Sequence, residues 1–250
     1  MRKQAQQNKI AWEYKAYETR IRQKPILETA KEILDNPMRF LRYHQSYFEN
    51  ISGKRIANVC GSDGRRTIPF AVLGAEATIF DISESQKKYA LELAKAVGVK
   101  LEYVLGDFCE TNVAKYGNKF DFLYLEGGIA HYFSEIDNFT KMLYAITKPS
   151  GRLILCDFHP YRKLDNSFAT KGDYFDSRLY EGSPPLSVFS PQEEQGAFPK
   201  VIVRYYTMSE IINSIISSGF TLKELIEHPH WKDNKYPVEY TIIADKTSAN

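Results

Sequence analysis

Hydrophobic positions along the central part of the chain follow two alternating periods. Five short apolar runs predict buried strands, at 55–60, 77–81, 101–105, 120–125 and 152–158. Helical spacing between these runs predicts three helices, at 65–73, 84–97 and 134–147. Ser83 is placed to cap the second of these helices. Strands that alternate with helices indicate a parallel sheet with right-handed crossovers.

The two flanks of this core follow other patterns. Before it, apolar spacing predicts helices at 7–22 and 26–49. After it, residues 160–200 show no clear period, and so long a segment in a compact domain is usually a lid or a binding loop. The remaining chain predicts a strand, a helix and an antiparallel strand pair that closes the sheet edge, at 201–207, 208–218, 221–228 and 238–245.

These patterns predict one α/β domain over residues 1–250. Its core is a doubly wound, Rossmann-like, mostly parallel sheet of seven strands with an antiparallel terminal pair. We divide the chain into four parts: an N-terminal helical cap (1–50), a cofactor-binding core (51–158), a lid or substrate insertion (159–207), and a terminal helix with the strand pair (208–250).

Composition narrows the class of protein. The formal net charge is +2, from 33 basic and 31 acidic side chains, which makes a nucleic-acid partner unlikely. No apolar run reaches the roughly 18 residues that span a bilayer, and the polar N-terminus is not a signal peptide, so no membrane partner is expected. The odd number of cysteines, three, favours reduced thiols in a cytoplasmic protein. No metal site is predicted, and the sequence does not indicate an oligomeric state.

Candidate ligand-binding residues stand at the ends of the predicted strands, where ligands of open α/β sheets bind. Cys60 and Gly61 to Gly64 end the first strand, and Asp81 ends the second. Gly106-Asp107 and Glu126-Gly127 end the next two. A helix that starts at Arg65 would point its free N–H groups at the same crevice. Asp81 follows Gly61 by twenty positions, where a carboxylate can accept both hydroxyls of a ribose.

These features fit NAD, FAD or S-adenosylmethionine. A dinucleotide fingerprint needs a third glycine so that the turn can hold a pyrophosphate. Here Arg65 and Arg66 follow Gly64, and no glycine appears before Gly74. The turn therefore favours a ligand without a pyrophosphate.

Four segments of the sequence resemble the motifs of a known family: VCGSDGRRTIPFAVLGAEATIFDIS, LGDF, FDFLYLEGGIAHYF and KPSGRLILCDFHP. They resemble motifs of class I S-adenosylmethionine-dependent methyltransferases, and are most similar to the type 11 small-molecule group. The resemblance runs from about Arg55 to Pro160. It implies that the cofactor is S-adenosylmethionine and that a methyl group is transferred to a small-molecule acceptor.

The same resemblance implies roles for individual residues. Gly61, Ser62, Asp63, Gly64 and Arg65 would contact the methionine moiety. Other residues would complete the cofactor site: Asp81 and Ile82 at the ribose, Gly106, Asp107 and Phe108 at the adenine, and Glu126 and Gly127 at the methionine end. Independently, Tyr14 and Tyr17 are placed to shield the sulfonium through cation–π contacts, or else to pack between helices.

The reaction needs an aligned acceptor and a dry site, and it needs a base only if the acceptor must lose a proton. Candidate bases near the strand ends are Glu126, His131 and His159. A histidine at 131 is expected to titrate near neutral pH. Aromatic content of 14%, concentrated in both flanks, favours a small organic acceptor. Three alternatives stay open: an RNA methyltransferase, an NAD-dependent oxidoreductase, and a non-catalytic S-adenosylmethionine-binding protein.

Overall fold

The computed structural model describes residues 2–232 and 234–247. Contacts divide the chain into two compact units. The first unit comprises Met1–Glu110 and Ser183–Val201, and the second comprises Thr111–Gly182 and Ile202–Asn250. Among the described residues, no helix is long and apolar enough to cross a membrane.

In the described residues, nine strands form two sheets. In chain order they are β1 (Arg55–Val59), β2 (Glu76–Asp81), β3 (Glu102–Leu105), β4 (Phe120–Glu126), β5 (Thr147–Phe158), β6 (Leu179–Gly182), β7 (Val201–Arg204), β8 (Thr221–Pro229) and β9 (Pro237–Asp245). The seven-stranded sheet has the order β3-β2-β1-β4-β5-β9-β8, and β6 pairs with β7. The pairs β1–β2, β2–β3 and β4–β5 are parallel, whereas β9 is antiparallel to β5 and β8. The predicted doubly wound sheet with its antiparallel terminal pair is confirmed.

Nine α-helices accompany these strands in the described part of the chain. They are α1 (Lys3–Glu13), α2 (Ala16–Gln23), α3 (Ile26–Asp35), α4 (Ile68–Val72), α5 (Glu84–Val97), α6 (Val113–Tyr116), α7 (Ile136–Ile146), α8 (Gln192–Gln195) and α9 (Met208–Ser217). The Ser83 hydroxyl accepts a hydrogen bond from the Gln86 amide, which confirms the predicted cap of α5. Thr207 and Glu210 form a capping box that starts α9.

The N-terminal helices are shorter than the periodicity predicts. The helix expected at 7–22 is broken at Lys15, whose φ of 49° lies in the left-handed region. The helix expected at 26–49 ends at Asp35, and a 3-10 segment, Pro37–Phe48, follows it. The Asn36 side chain accepts from the Arg39 amide and starts this second segment. Apolar spacing alone does not show such breaks because both pieces keep their buried faces.

The boundaries of β5 and α4 also differ from the sequence expectation. Strand β5 begins at Thr147 rather than at residue 152, with an irregularity in its pairing with β4. The helix expected from Arg65 begins three residues later, at Ile68, after a succession of turns. Arg65 therefore does not lie at the positively polarised N-terminus of a helix.

The segment expected to form one lid, 159–207, is shared between the two units. Its later part packs against the N-terminal helices within the first unit: Lys15 pairs with Glu194, and Thr19 hydrogen-bonds Ser190. Its earlier part is built into the second unit, where the Lys163 ammonium donates to the backbone oxygens of Asp176 and Tyr205. The two parts of the segment therefore have separate sets of contacts.

Candidate functional site

The turn after β1 is compact and its backbone is fixed by its neighbours. Ser62 and Gly64 have φ values of 49° and 78°, in the left-handed region. A Cβ on Gly61 would lie 3.0 Å from the Ile79 side chain, and one on Gly64 would lie 3.1 Å from Ala90. Glycine is required at both positions because the turn lies directly against β2 and α5.

Asp81 ties this turn to the end of β2. Its carboxylate accepts hydrogen bonds from the amides of Ser62 (2.9 Å) and Ser83 (3.0 Å), and from the amide of Ile82. Burial raises the pKa of Asp81, although these three amides favour the charged form. Asp81 thus holds the turn in place, and its role at a ribose stays a prediction.

The first unit also has two features that leave room for a ligand, at Ser62 and at Gly106. The Ser62 hydroxyl is buried without a hydrogen-bond partner among the described residues, while its carbonyl accepts from the Tyr103 hydroxyl at 3.0 Å. A Cβ on Gly106 would meet nothing within 4 Å. A buried hydroxyl without a partner is costly unless a ligand or water satisfies it, so these residues fit a polar ligand group.

The Asp63 and Arg65 side chains form an ion pair with each other. The Asp63 carboxylate lies 2.8 Å from Nε of Arg20 and accepts from the Arg65 side chain at 2.9 Å. Burial alone would raise the pKa of Asp63, but the two guanidinium groups and the Arg65 hydrogen bonds outweigh it and lower that pKa. Asp63 therefore forms structural ion pairs in this turn, and its direct contact with a cofactor stays a prediction.

Asp107 follows β3 and binds the N-terminal residue Arg2. The guanidinium donates to both carboxylate oxygens at 2.9 Å, and the Cys109 amide donates to Oδ1 at 3.1 Å. The neighbouring Phe108 is 4% exposed and packs edge-on against Phe80, so its ring belongs to the core. Asp107 remains the acceptor at this strand end, but it already has a cationic partner.

The structure does not support a cofactor role for Tyr17. Its hydroxyl donates to Glu92 at 2.5 Å, and the Lys88 ammonium lies 3.9 Å from the centre of its ring. The Glu92 carboxylate raises the pKa of Tyr17 to about 12. Tyr14 packs edge-on against Phe198, with 5.0 Å between ring centres. Both tyrosines therefore join helices to their neighbours, which is the packing alternative considered from the sequence.

In the second unit, Glu126 and Gly127 end β4 as the sequence predicts. The Glu126 carboxylate is 8% exposed and accepts from the Tyr124 hydroxyl at 2.6 Å. Gly127 has a φ of 100° and open space where a Cβ would stand. Their contact with the methionine end of a cofactor stays a prediction.

His131 lies in a small cavity of about 30 Å³ beyond the ends of β4 and β5. Its ring stacks on Phe158 at 6.3 Å and lies 6.1 Å from the Tyr205 ring. Gly128 is required here, because a Cβ would come within 2.3 Å of Phe158. Burial, and then the charge of Arg162, lower the pKa of His131 to about 3. The expected titration near neutral pH is therefore wrong, and a base this weak is poorly matched to proton abstraction.

His159 is a turn residue. Its Nδ1 accepts from the Tyr161 amide at 3.0 Å, and its Nε2 lies 2.9 Å from a Glu227 carboxylate oxygen. Burial lowers the pKa of His159, and the Glu227 charge only partly offsets this. His159 caps the 3-10 helix Pro160–Leu164 through Nδ1, and its expected catalytic role stays a prediction.

Two arginines that sequence reasoning missed are prominent in the sites. Arg2 reaches Asp107 across 105 positions of the chain, a distance that no local pattern shows. Arg162 stands over the rings of Phe158 and Phe168, at 4.8 and 4.5 Å from their centres. The position of Arg162 three residues after His159, beyond a strand end, was the one signal available in the sequence.

Comparison with known proteins agrees with the fold. Residues 58–155 match the family described as a methyltransferase domain. No curated protein sequence matches the chain. An S-adenosylmethionine-dependent methyltransferase structure from Mesorhizobium loti is similar, with a TM-score of 0.64 and 15% identity, covering 85% of this chain and 99% of that one.

A second similar structure is magnesium protoporphyrin IX methyltransferase from Synechocystis PCC 6803 with bound S-adenosylhomocysteine. It has a TM-score of 0.60 and 16% identity, and the match covers 98% of this chain and 100% of that one. At these identities the structural neighbours establish the fold, and the family match assigns a methyltransferase domain to residues 58–155. The chain therefore has a methyltransferase domain over residues 58–155, built on the fold of S-adenosylmethionine-dependent methyltransferases.

Proposed function

We propose that this methyltransferase acts on a small organic acceptor. S-Adenosylmethionine supplies an electrophilic methyl group on a sulfonium cation, so the protein must position an acceptor and exclude water. The observation that carries the proposal is the pocket of the second unit, whose walls include His131, Phe158 and Tyr205. Walls that combine aromatic rings with a few polar groups are typical of sites for small organic molecules.

We further propose which residues of the first unit hold the cofactor. The turn at Gly61 to Gly64 would approach the methionine moiety closely, and the buried Ser62 hydroxyl would gain a partner there. Asp81 would accept from the ribose hydroxyls with the lone pairs that its three amide contacts leave available. Asp107 would accept from the adenine amino group, in competition with Arg2.

No general base is assigned in this proposal. His131 is neutral at pH 7 and donates or accepts hydrogen bonds without changing charge. His159 is held in its turn by Glu227. An acceptor that already has a free lone pair or a negative charge needs no base, and such acceptors fit the site best.

An RNA acceptor is the main rival to this proposal. The balanced charge of the chain, +2 in total, gives little support for contacts with many phosphates.

No disulfide links Cys60, Cys109 and Cys156, all of them in the described part of the chain, which supports our proposal of a reducing, cytoplasmic compartment.

The test is methyl transfer from S-adenosylmethionine with a labelled methyl group. The full chain is incubated with a metabolite extract and, separately, with total RNA. We expect label in metabolites and none in RNA, and we expect Asp107→Ala to reduce the signal. Label in RNA alone would overturn the small-molecule proposal.

A further inference from the structure

Arg162 presents a guanidinium group fixed by aromatic rings. It lies on the 3-10 helix Pro160–Leu164, directly after the end of β5. The guanidinium carbon is 4.8 Å from the centre of the Phe158 ring and 4.5 Å from that of Phe168. Two cation–π contacts restrict the side chain to one place at the mouth of the cavity.

Arg162 makes no direct contact with a carboxylate among the described residues, although the charge of Asp157 acts on it at longer range. Within residues 2–232 and 234–247, its guanidinium forms no ion pair and no side-chain hydrogen bond. The neighbouring cations differ: Arg178 pairs with Asp176, and Arg204 pairs with Glu210. The Arg162 guanidinium is exposed at the mouth of the cavity, and its N–H donors are available to a ligand that presents acceptor oxygens.

The acidic residue of this cavity is not available to Arg162. The Asp157 carboxylate accepts from the amides of Ile129 and Ala130 at 2.8 Å each, and from the Phe158 amide at 2.6 Å. Asp157 is 4% exposed. Its oxygens accept hydrogen bonds from backbone amides and so fix the loop after β4. They accept none from the Arg162 guanidinium.

The cavity has the size and polarity of a carboxylate site. Its volume of about 30 Å³ is roughly twice what one water needs, which suits a group with two oxygens. Lys163 also borders it, but its ammonium donates to two backbone carbonyls. Arg162 is therefore the available cation, and the rings of Phe168 and Tyr205, 4.6 Å apart, extend the site outward with apolar surface.

We propose that the acceptor is a carboxylic acid with an apolar or aromatic body, and that Arg162 binds its carboxylate by a two-pronged hydrogen bond. This inference rests on the proposed small-molecule function and names its substrate class. Arg162 is then a specificity-determining residue: planar, bidentate recognition is what a guanidinium provides and an ammonium does not.

The test is an NMR titration of the full chain with benzoate, benzamide and phenyl phosphate. The Arg162 Nε resonance is identified by its loss in Arg162→Gln. We expect benzoate to shift it saturably and benzamide to leave it unchanged. In Arg162→Gln, benzoate affinity, followed at the Tyr205 ring, should fall at least about tenfold. Arg162→Lys should be intermediate, and Lys223→Gln, which removes an exposed charge elsewhere in the same unit, should match the wild type.

Three results would overturn the inference: no response to benzoate, an equal response to benzamide, or tighter binding of phenyl phosphate than of benzoate. Failure of the proposed function would show up separately, because the titration with benzoate is run without S-adenosylmethionine. Label in RNA alone contradicts the small-molecule function, whereas a protein that methylates neutral metabolites contradicts only the carboxylate assignment.

Discussion

Arg2 donates two hydrogen bonds to the carboxylate of Asp107, from Nε to Oδ2 and from Nη2 to Oδ1, each 2.9 Å long. The Asp107 side chain is 1% exposed and that of Arg2 is 26% exposed. The start of α1 is thereby joined to the end of β3, where we propose that adenine binds. The N-terminal helix and the adenine amino group then compete for one carboxylate.

Arg2→Ala should therefore tighten binding of S-adenosylhomocysteine. A partly exposed pair contributes up to about 1 kcal/mol, so we expect a gain of a few-fold in affinity. Calorimetry measures it, with Lys9→Ala as the control, because Lys9 lies on α1, which begins directly after Arg2, and pairs with the exposed Glu84. Weaker binding in Arg2→Ala would show instead that Arg2 helps to hold the cofactor.

Asp81→Ala should weaken cofactor binding and also destabilise the fold. Loss of the ribose contacts is expected to cost about 1–3 kcal/mol of binding free energy. Three amides that now donate to the carboxylate would lose their acceptor, at a further cost of about 1–3 kcal/mol in the free energy of unfolding. Calorimetry and urea unfolding measure the two effects separately.

Glu76→Ala is the matched control for Asp81→Ala, since Glu76 starts the same strand and pairs with Arg55 at the surface. It should leave both quantities almost unchanged. Unaltered affinity in a folded Asp81→Ala protein would refute the ribose assignment.

The regular part of the fold was predictable from the sequence because its signals are local. The cap at Ser83, the period of α5 and the apolar runs of β1 to β4 each lie within about a dozen residues. The break at Lys15 was not predictable, because a lysine with positive φ has no sequence signature and only the packing of both helices selects it.

The sequence predicted where the candidate site residues lie in the fold, but it did not predict which residues they contact. As the sequence predicts, Asp81 and Glu126 are the last residues of β2 and β4, and Asp107 follows the end of β3 by two residues. Their hydrogen-bond partners depend on distant parts of the chain, as in Arg2 with Asp107. The low pKa of His131 likewise arises from burial by Phe158 and Tyr205, which lie far along the sequence.

Asp63→Asn should remove an acid-sensitive part of the stability. The folded-state pKa of Asp63 is lowered, so its charged form stabilises the fold above the usual carboxylate pKa. That contribution is lost as the pH falls below about 4 toward the folded-state value. At pH 7 the variant should lose about 3–5 kcal/mol, because Arg20 would be left buried without its anion.

Denaturant unfolding of both proteins from pH 7 to pH 3 checks this expectation. The difference between wild type and Asp63→Asn should shrink as the pH falls. A difference that stays constant with pH would contradict the ion pair as its source.

His131→Gln should leave the shape of the pH–rate profile unchanged between pH 6 and pH 8. With a pKa of about 3, the wild-type ring stays neutral throughout that range. Loss of its packing in the acceptor pocket should lower turnover by about tenfold or less, below the roughly 10²–10⁴-fold expected for a general base. An inflection near pH 6.5 that disappears in the variant would restore His131 as the base.

Calorimetric titration of the full chain with S-adenosylmethionine, S-adenosylhomocysteine and NAD tests the central claim most directly. The account predicts saturable binding of the first two at one site per chain, abolished or strongly weakened by Asp107→Ala, and no saturable heat with NAD. Tighter binding of NAD, or full binding of S-adenosylmethionine by a folded Asp107→Ala protein, would contradict it.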